Sequence, residues 1–252
     1  MAGEPKPHIR PISNIVIVVG NLHAACFCFD GVNVNVVFNG MNNSYGDGST
    51  SHRQQIPAHS PPSLPFPERV PWVRYLGTYK DLSINLIWPG KDPATGVDSI
   101  GTIPSALVTY AAIQALQPDL IINAGTTGGF KGFDLYGVGL RKAFDTPNLT
   151  KELNLKVGRL STGDSLDMAL QDESLIKAND ATVIDMEGAA IAYVADLLKV
   201  PAIFVKAVTN IVDGDKPIVE EFLENLAAVA DALDPAVEQI VKFINGKSVS
   251  EL

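Results

Sequence analysis

Cysteine and histidine are scarce in this chain, and their scarcity limits the chemistry to be expected of it. The sequence has two cysteines and four histidines in 252 residues. The spacing of Cys26 and Cys28 is neither that of a zinc knuckle nor that of a redox pair. The histidines lie outside every motif described below; they are His8, His23, His52 and His59. We therefore expect no metal site and no cofactor.

Long apolar runs and a surplus of basic residues are also absent from the sequence. The apolar run Ile15–Val19 is too short for a signal peptide or a membrane span, so we expect a cytoplasmic protein that does not enter a membrane. The formal net charge is −9, with 28 acidic and 19 basic residues. Binding to a phosphate backbone depends on clustered Lys and Arg, so nucleic acid is not an expected partner. A small or neutral ligand fits this composition better.

The composition and its changes along the chain predict one main domain. A length of 252 residues with 46% hydrophobic content is enough for one full core. Residues 1–10 are a charged tail that we predict to be mobile, and residues 11–29 contain a first strand, Asn14–Val19. Residues 30–69 are rich in Gly, Asn, Ser and Pro. That composition cannot bury enough apolar surface to offset chain entropy, so we predict a disordered insertion there.

Strand and helix patterns alternate through residues 70–252. The predicted buried strands are Leu82–Trp88, Leu120–Ala124, Leu155–Ser161 and Ala202–Val208. The predicted helices are Ile100–Gln117, Leu149–Leu153, Met186–Lys199 and Glu220–Ile244, the last with a kink or interruption at Pro235. Helical spacing puts several apolar side chains near one face of the first of these helices, including Ile103, Leu107 and Tyr110.

The most informative motif runs from Val183 to Asp196. It places Glu187 at the start of a strongly apolar helical run, where free helix N–H groups and the helix dipole can hold a carboxylate ionised. The buried strand Val200–Val208 follows, and then the polar loop Thr209–Pro217. Open α/β sheets build small-molecule sites from such arrangements, so a site is predicted here.

Six segments of the sequence occur in the order expected for one family: Asn123–Phe130, Phe133–Leu140, Gly158–Ser165, Asp185–Ala190, Val205–Thr209 and Val212–Pro217. Together they resemble the nucleoside phosphorylase and nucleosidase superfamily, most closely its plant-type 5′-methylthioadenosine nucleosidases. The resemblance implies a single α/β domain with a mixed, twisted sheet and helices on both faces. It also implies a homodimer that hydrolyses the N-glycosidic bond of methylthioadenosine, a small-molecule nucleoside, to adenine and methylthioribose.

The resemblance also implies roles for individual residues. Glu187 accepts hydrogen bonds from the ribose hydroxyls, Met186 packs beneath the sugar, and Asp185 belongs to the same substrate-binding run. Thr126 lies beside the ligand, and Leu166 meets the base through its backbone N–H and C=O.

The residues taken alone leave other interpretations open. Glu187 can be a carboxylate that only favours the helix dipole. The run Gly125–Gly129, interpreted as a loop, can be only a tight turn. Asp164 or Ser165 can serve as the N-cap of whatever follows.

Three departures from the family pattern bear on catalysis. The family has an aspartate as proton donor to adenine where this chain has Asn210, and an amide cannot transfer a proton at pH 7. The glutamate that activates water falls on Ala24. A family segment that forms sheet strands and much of the dimer contact is missing after Lys131, near residues 131–132.

These departures predict a purine nucleosidase with impaired activity, and the missing segment argues against the homodimer. The alternative is a non-catalytic protein of the same fold that binds nucleoside or serves in storage or interaction. A variant chain that does not fold fully is a third interpretation, and a phosphorylase is a fourth, without a recognisable basic phosphate motif to support it. Whether S-adenosylhomocysteine is accepted stays open.

Overall fold

The computed structural model describes residues 10–20, 33–38, 66–67, 69–129, 143–166 and 170–252. Ala24, the tail 1–9, most of 30–69 and the segment around Lys131 lie outside these residues. The predictions made for them therefore stay predictions.

One mixed sheet organises the described residues. Its strands are β1 (Asn14–Val19), β2 (Asn33–Phe38), β3 (Val73–Tyr79), β4 (Leu82–Trp88), β5 (Leu120–Gly129), β6 (Leu160–Thr162), β7 (Val183–Asp185) and β8 (Ala202–Ile211). The order is β2-β3-β4-β1-β5-β7-β6, and β8 pairs with β5. β1 is parallel to β4 and β5, and β8 is parallel to β5, whereas β2, β3 and β4 pair antiparallel in turn.

The sheet forks in the middle of β5. β1 pairs with β5 only as far as Ala124, opposite Val19. Beyond that point β5 continues beside β8, while Gly128 and Gly129 pair antiparallel with β7 on the side that β1 has left. β6 then pairs parallel with β7. The ends of β1, β7 and the middle of β8 therefore meet around the second half of β5.

Helices cover both faces of the sheet. They are α1 (Thr102–Leu116), α2 (Pro147–Glu152), α3 (Leu170–Ala178), α4 (Gly188–Leu198) and α5 (Ile218–Ile244). Alternate residues of a strand point to opposite faces. Ile15 and Ile17 of β1 accordingly pack in the core that contains the second half of α5, and Val16 and Val18 pack in the core that contains α1 and α4. This architecture confirms the predicted single α/β domain with a mixed sheet and helices on both faces.

Three predictions about elements are corrected. Residues 30–69 do not lack regular structure throughout, because Asn33–Phe38 form β2 by pairing along the free edge of β3. The run Gly125–Gly129 is not a loop but the second half of β5, since β8 supplies hydrogen-bond partners along its length. Of the kink or interruption predicted at Pro235, the interruption is ruled out because α5 is continuous across it, and the kink stays a prediction.

The apolar face indicated for α1 points away from the core. Ile103 is 71% exposed, Leu107 56% and Tyr110 51%. The buried face carries smaller side chains, which are Ser105, Val108, Thr109, Ala112 and Ile113. This face packs against α4 and the sheet. Among the described residues, no helix is long and apolar enough to span a membrane.

Candidate active site

Three charged side chains meet where the sheet forks, and we call them the charged wall: Asp185, Glu187 and Lys206. Asp185 ends β7, Lys206 lies in the middle of β8 opposite Gly125, and Glu187 precedes α4. The Lys206 and Asp185 side chains are 7% and 0% exposed. Burying charges is expensive unless they are paired, so their mutual arrangement must compensate.

Both carboxylate oxygens of Asp185 have polar partners. Its Oδ2 lies 2.6 Å from Lys206 Nζ, an ion pair without the angle of a hydrogen bond. Gly188 N–H donates to Oδ2 at 2.9 Å, and the Thr162 hydroxyl donates to Oδ1 at 2.6 Å. Thr162 Oγ1 in turn accepts from Ala189 N–H at 2.9 Å. Asp185 therefore fixes the start of α4 and neutralises Lys206.

Glu187 is held by a different helix from the one it precedes. Its carboxylate accepts from the backbone N–H of Gly101, at the start of α1, and of Met186, and it makes no cap hydrogen bond to α4. It is only 7% exposed and packs against Gly20, where an added Cβ would lie 2.8 Å from Glu187 Oε1. Burial raises the pKa of Glu187, Lys206 and the two N–H donors oppose this rise, and Asp185 adds to it. The expectation that its own helix keeps Glu187 ionised is therefore corrected.

A cavity of about 520 Å³ opens beside the charged wall. That volume is within the range of small-molecule sites. Met186 and Asp185 line one side of it, and the segment Gly163–Leu166 lines another. Apolar side chains complete much of the lining; they are Ile176, Ile184, Val212 and Ile218.

A second wall of the cavity carries no ionisable group, and we call it the neutral wall: Gly128, Asn210 and Val212. Asn210 is 5% exposed, and its Oδ1 accepts from the Thr209 hydroxyl at 2.9 Å. Its Nδ2 lies 3.2 Å from the point where a Cβ on Gly128 would stand. The Thr209 hydroxyl also lies 3.3 Å from the Thr127 carbonyl, so Thr209 ties the Asn210 amide to the backbone of β5.

Some of the predicted site residues line the cavity and others do not. Leu166, Asp185, Met186 and Asn210 line it. Thr126 is half-buried on β5 and Glu187 is buried against Gly20, and neither is part of the lining. Ala24 lies outside the described residues.

Lys206 and Gly20 are neighbours of the site that the motifs did not single out. A lone lysine in the buried strand Ala202–Val208 is a usable signal, because lysine is almost never fully buried unless it is paired. The role of Gly20 depends on a close approach between distant segments, which a single sequence does not show. Within the described ranges, no group of three or more His, Cys, Asp or Glu side chains is placed to hold a metal ion.

The chain is similar to known proteins over most of its length. Residues 136–242 match the model of the Phosphorylase superfamily. The chain is 58% identical to a 5′-methylthioadenosine nucleosidase of Arabidopsis thaliana over 213 residues, which are 75% of this chain and 80% of that protein. It is 57% identical to a 5′-methylthioadenosine/S-adenosylhomocysteine nucleosidase of the same plant, over 75% of this chain and 85% of that protein. The fold matches the apo structure of Arabidopsis thaliana 5′-methylthioadenosine nucleosidase with a TM-score of 0.80 and 46% identity, covering 96% of this chain and 100% of that one.

Proposed function

Because this chain belongs to the plant-type 5′-methylthioadenosine nucleosidase family of the nucleoside phosphorylase superfamily, we propose that it binds 5′-methylthioadenosine and hydrolyses its N-glycosidic bond at an impaired rate. The single observation that carries this proposal is one cavity lined by Asp185, Met186 and Asn210, with the buried charges of Glu187 and Lys206 grouped around Asp185. Two arguments support it, one for binding and one for chemistry.

The binding argument starts from the charged wall. In this proposal the ribose lies over Met186, and its hydroxyls donate to the carboxylate of Glu187. Buried, pre-oriented acceptors discriminate strongly for hydroxyl-bearing ligands, because they stay unpaired in their absence. The base lies along Gly163–Leu166, where the backbone of Leu166 offers a donor and an acceptor, and Thr126 stays close to the ligand from β5.

The chemical argument starts from the neutral wall. Adenine departs as a neutral base only if its five-membered ring gains a proton, and a positioned acid contributes about 10²- to 10⁴-fold to such a step. The Asn210 NH₂ group can donate a hydrogen bond to a ring nitrogen but has no proton to give up. Binding is therefore retained, while the departure of the base loses its acid.

Two carboxyl groups also line the cavity and must be considered as substitute acids. Asp164 is already bonded to Thr102, whose N–H and hydroxyl both donate to it at 2.6 Å. Asp172 lies in the first turn of α3 and is exposed. Asp172→Asn is the variant that decides whether any residual adenine release depends on it.

The test measures binding and adenine release on one preparation. Isothermal titration calorimetry with methylthioadenosine should give saturable binding in the wild type that is lost in Glu187→Ala and kept in Asp196→Ala, a control at an exposed pair. Adenine release, followed by chromatography, should be far slower than in a complete nucleosidase. Binding with no release at all favours a nucleoside-binding or storage protein, and equal binding with and without Glu187 removes that residue from the site.

Although the segment missing after Lys131 argues against the family homodimer, we also propose that the chain forms one through the exposed apolar face of α1 and α4. Ile103, Leu107 and Tyr110 on α1 and Tyr193 and Leu197 on α4 are each more than half exposed, and the two helices pack against each other. A large exposed apolar patch is typical of an interaction surface. Sedimentation should show a dimer that Leu107→Glu converts to a monomer, whereas Val157→Glu, at another exposed apolar residue, should not.

A further inference from the structure

The start of α1 contacts two carboxylates from different segments, Glu187 of the charged wall and Asp164 of the lining segment Gly163–Leu166. Gly101 N–H donates to the carboxylate of Glu187. Thr102 N–H donates to Asp164 Oδ1 at 2.6 Å, and the Thr102 hydroxyl donates to Asp164 Oδ2 at 2.6 Å. Asp164 therefore accepts from the first residue of a helix that begins 62 residues before it. The N–H groups of Gly101 and Thr102, which are adjacent in the chain, therefore connect Glu187 of the charged wall to the segment Gly163–Leu166.

The backbone at Gly101 is shaped for this approach. Its φ of +113° is in the region that side chains rarely adopt, and a Cβ there would lie 2.9 Å from Asp164 Oδ1. On the other side of the contact, Gly163 N–H donates to the carbonyl of Asp185 at 2.9 Å. The segment is thus tied to β7 by its backbone and to α1 by one side chain.

We infer that Asp164 is a positioning residue that sets the distance between the base-binding segment Gly163–Leu166 and the ribose carboxylate of Glu187, through the first residues of α1. The inference rests on the proposed nucleoside binding. Asp164 lines the cavity, but Thr102 donates to both of its carboxylate oxygens. Asp164 therefore acts on a ligand by holding the backbone of Ser165 and Leu166 in place.

The contact suits a positioning role better than a stabilising one. Asp164 is exposed, and exposed charged contacts contribute little to global stability. Bonds between N–H or hydroxyl donors and a carboxylate are short and directional, so they define geometry well. A change at Asp164 should therefore appear in ligand affinity before it appears in the unfolding transition.

Three variants test this inference, one of them a matched control. Asp92 makes the same kind of contact far from the cavity, accepting from Ala94 N–H, Thr95 N–H and the Thr95 hydroxyl. Calorimetric affinities for adenine and for methylthioadenosine should weaken about tenfold in Asp164→Ala and be unchanged in Asp92→Ala. Asp164→Asn keeps an acceptor for Thr102 N–H and should recover part of the affinity. The melting temperatures of all three should stay close to that of the wild type.

Amide hydrogen exchange gives a readout that does not depend on any ligand. In Asp164→Ala, but not in Asp92→Ala, the Gly163 and Gly101 N–H groups should exchange faster than in the wild type, because the segment and the helix start are no longer joined. Unchanged exchange at both positions, or wild-type affinities in Asp164→Ala, overturns the inference. If the wild type binds neither adenine nor methylthioadenosine, the proposed function is wrong, and the exchange result still decides whether Asp164 joins the two elements.

Discussion

The charged wall reaches the cavity through Asp185, whereas every residue of the neutral wall lines it, and the two differ in how their polar groups are used. In the charged wall, Asp185 and Lys206 satisfy each other, and Glu187 is held by backbone donors. In the neutral wall, the one polar side chain is Asn210, which contacts the Thr209 hydroxyl. In the proposed function, the first wall supplies acceptors for sugar hydroxyls, and the second offers a donor without a transferable proton. Recognition of a nucleoside and its cleavage would then depend on separable parts of this molecule.

The largest effect is expected in the charged wall from Asp185→Ala. It leaves the Lys206 ammonium buried without its counter-charge and removes the acceptor of Gly188 N–H. Breaking a buried pair from one side costs about 3–5 kcal/mol in the free energy of unfolding. Urea unfolding should show this loss. Asp196→Ala, which breaks the exposed pair with Lys199, should change the same quantity by less than about 1 kcal/mol.

Smaller effects are expected from Glu187→Gln, namely a gain in stability and a loss of affinity for methylthioadenosine. Burial raises the pKa of Glu187 in the folded protein. The protonated carboxyl therefore contributes stability that is fully present below the pKa of Glu187 in the unfolded chain and is lost as pH rises through its raised pKa in the folded protein. The amide removes this loss, so the variant should unfold at a higher urea concentration than the wild type at neutral pH and show a flatter dependence on pH above 4.5, the ordinary value. Its affinity for methylthioadenosine should fall about tenfold. A variant that is less stable at neutral pH, with unchanged affinity, contradicts this account of Glu187.

The smallest effect is expected in the neutral wall from Asn210→Asp. The change returns a proton donor, but residues that act as a unit are not additive, and we propose that Ala24 stands where the family has the carboxylate that activates water. Adenine release should therefore rise little in the single variant, and little in the double variant with Ala24→Glu. It should rise much more once the family segment missing after Lys131 is also inserted. Brisk turnover in the double variant would show that the missing segment is dispensable for catalysis.

The sequence predicted the fold class because its motifs and alternating patterns depend on local residues. It assigned the wrong face of α1, since Ile103 and Tyr110 are apolar yet exposed, while Ser105 and Thr109 are buried. Helical spacing shows that an apolar face exists, but not whether the sheet or another surface covers it. It also missed the ends of β5 and β8, because these extensions depend on pairing between distant strands.

Within the site, the motifs found Glu187 and Asn210 but not what holds them. The bond between Gly101 and Glu187 and the bonds between Thr102 and Asp164 join segments far apart in the chain. The pKa of Glu187 depends on burial by these partners and by Gly20, so no local pattern could have predicted its direction.

The most direct test of the account is a single-turnover experiment with the protein in excess over methylthioadenosine, at concentrations that calorimetry shows to be saturating. The account predicts that the nucleoside is bound and remains intact, with adenine appearing far more slowly than in a complete nucleosidase measured in parallel. Adenine release at the rate of the complete enzyme would contradict the claim that Asn210 separates binding from cleavage, and the absence of saturable binding would contradict the claim that the charged wall still recognises a nucleoside.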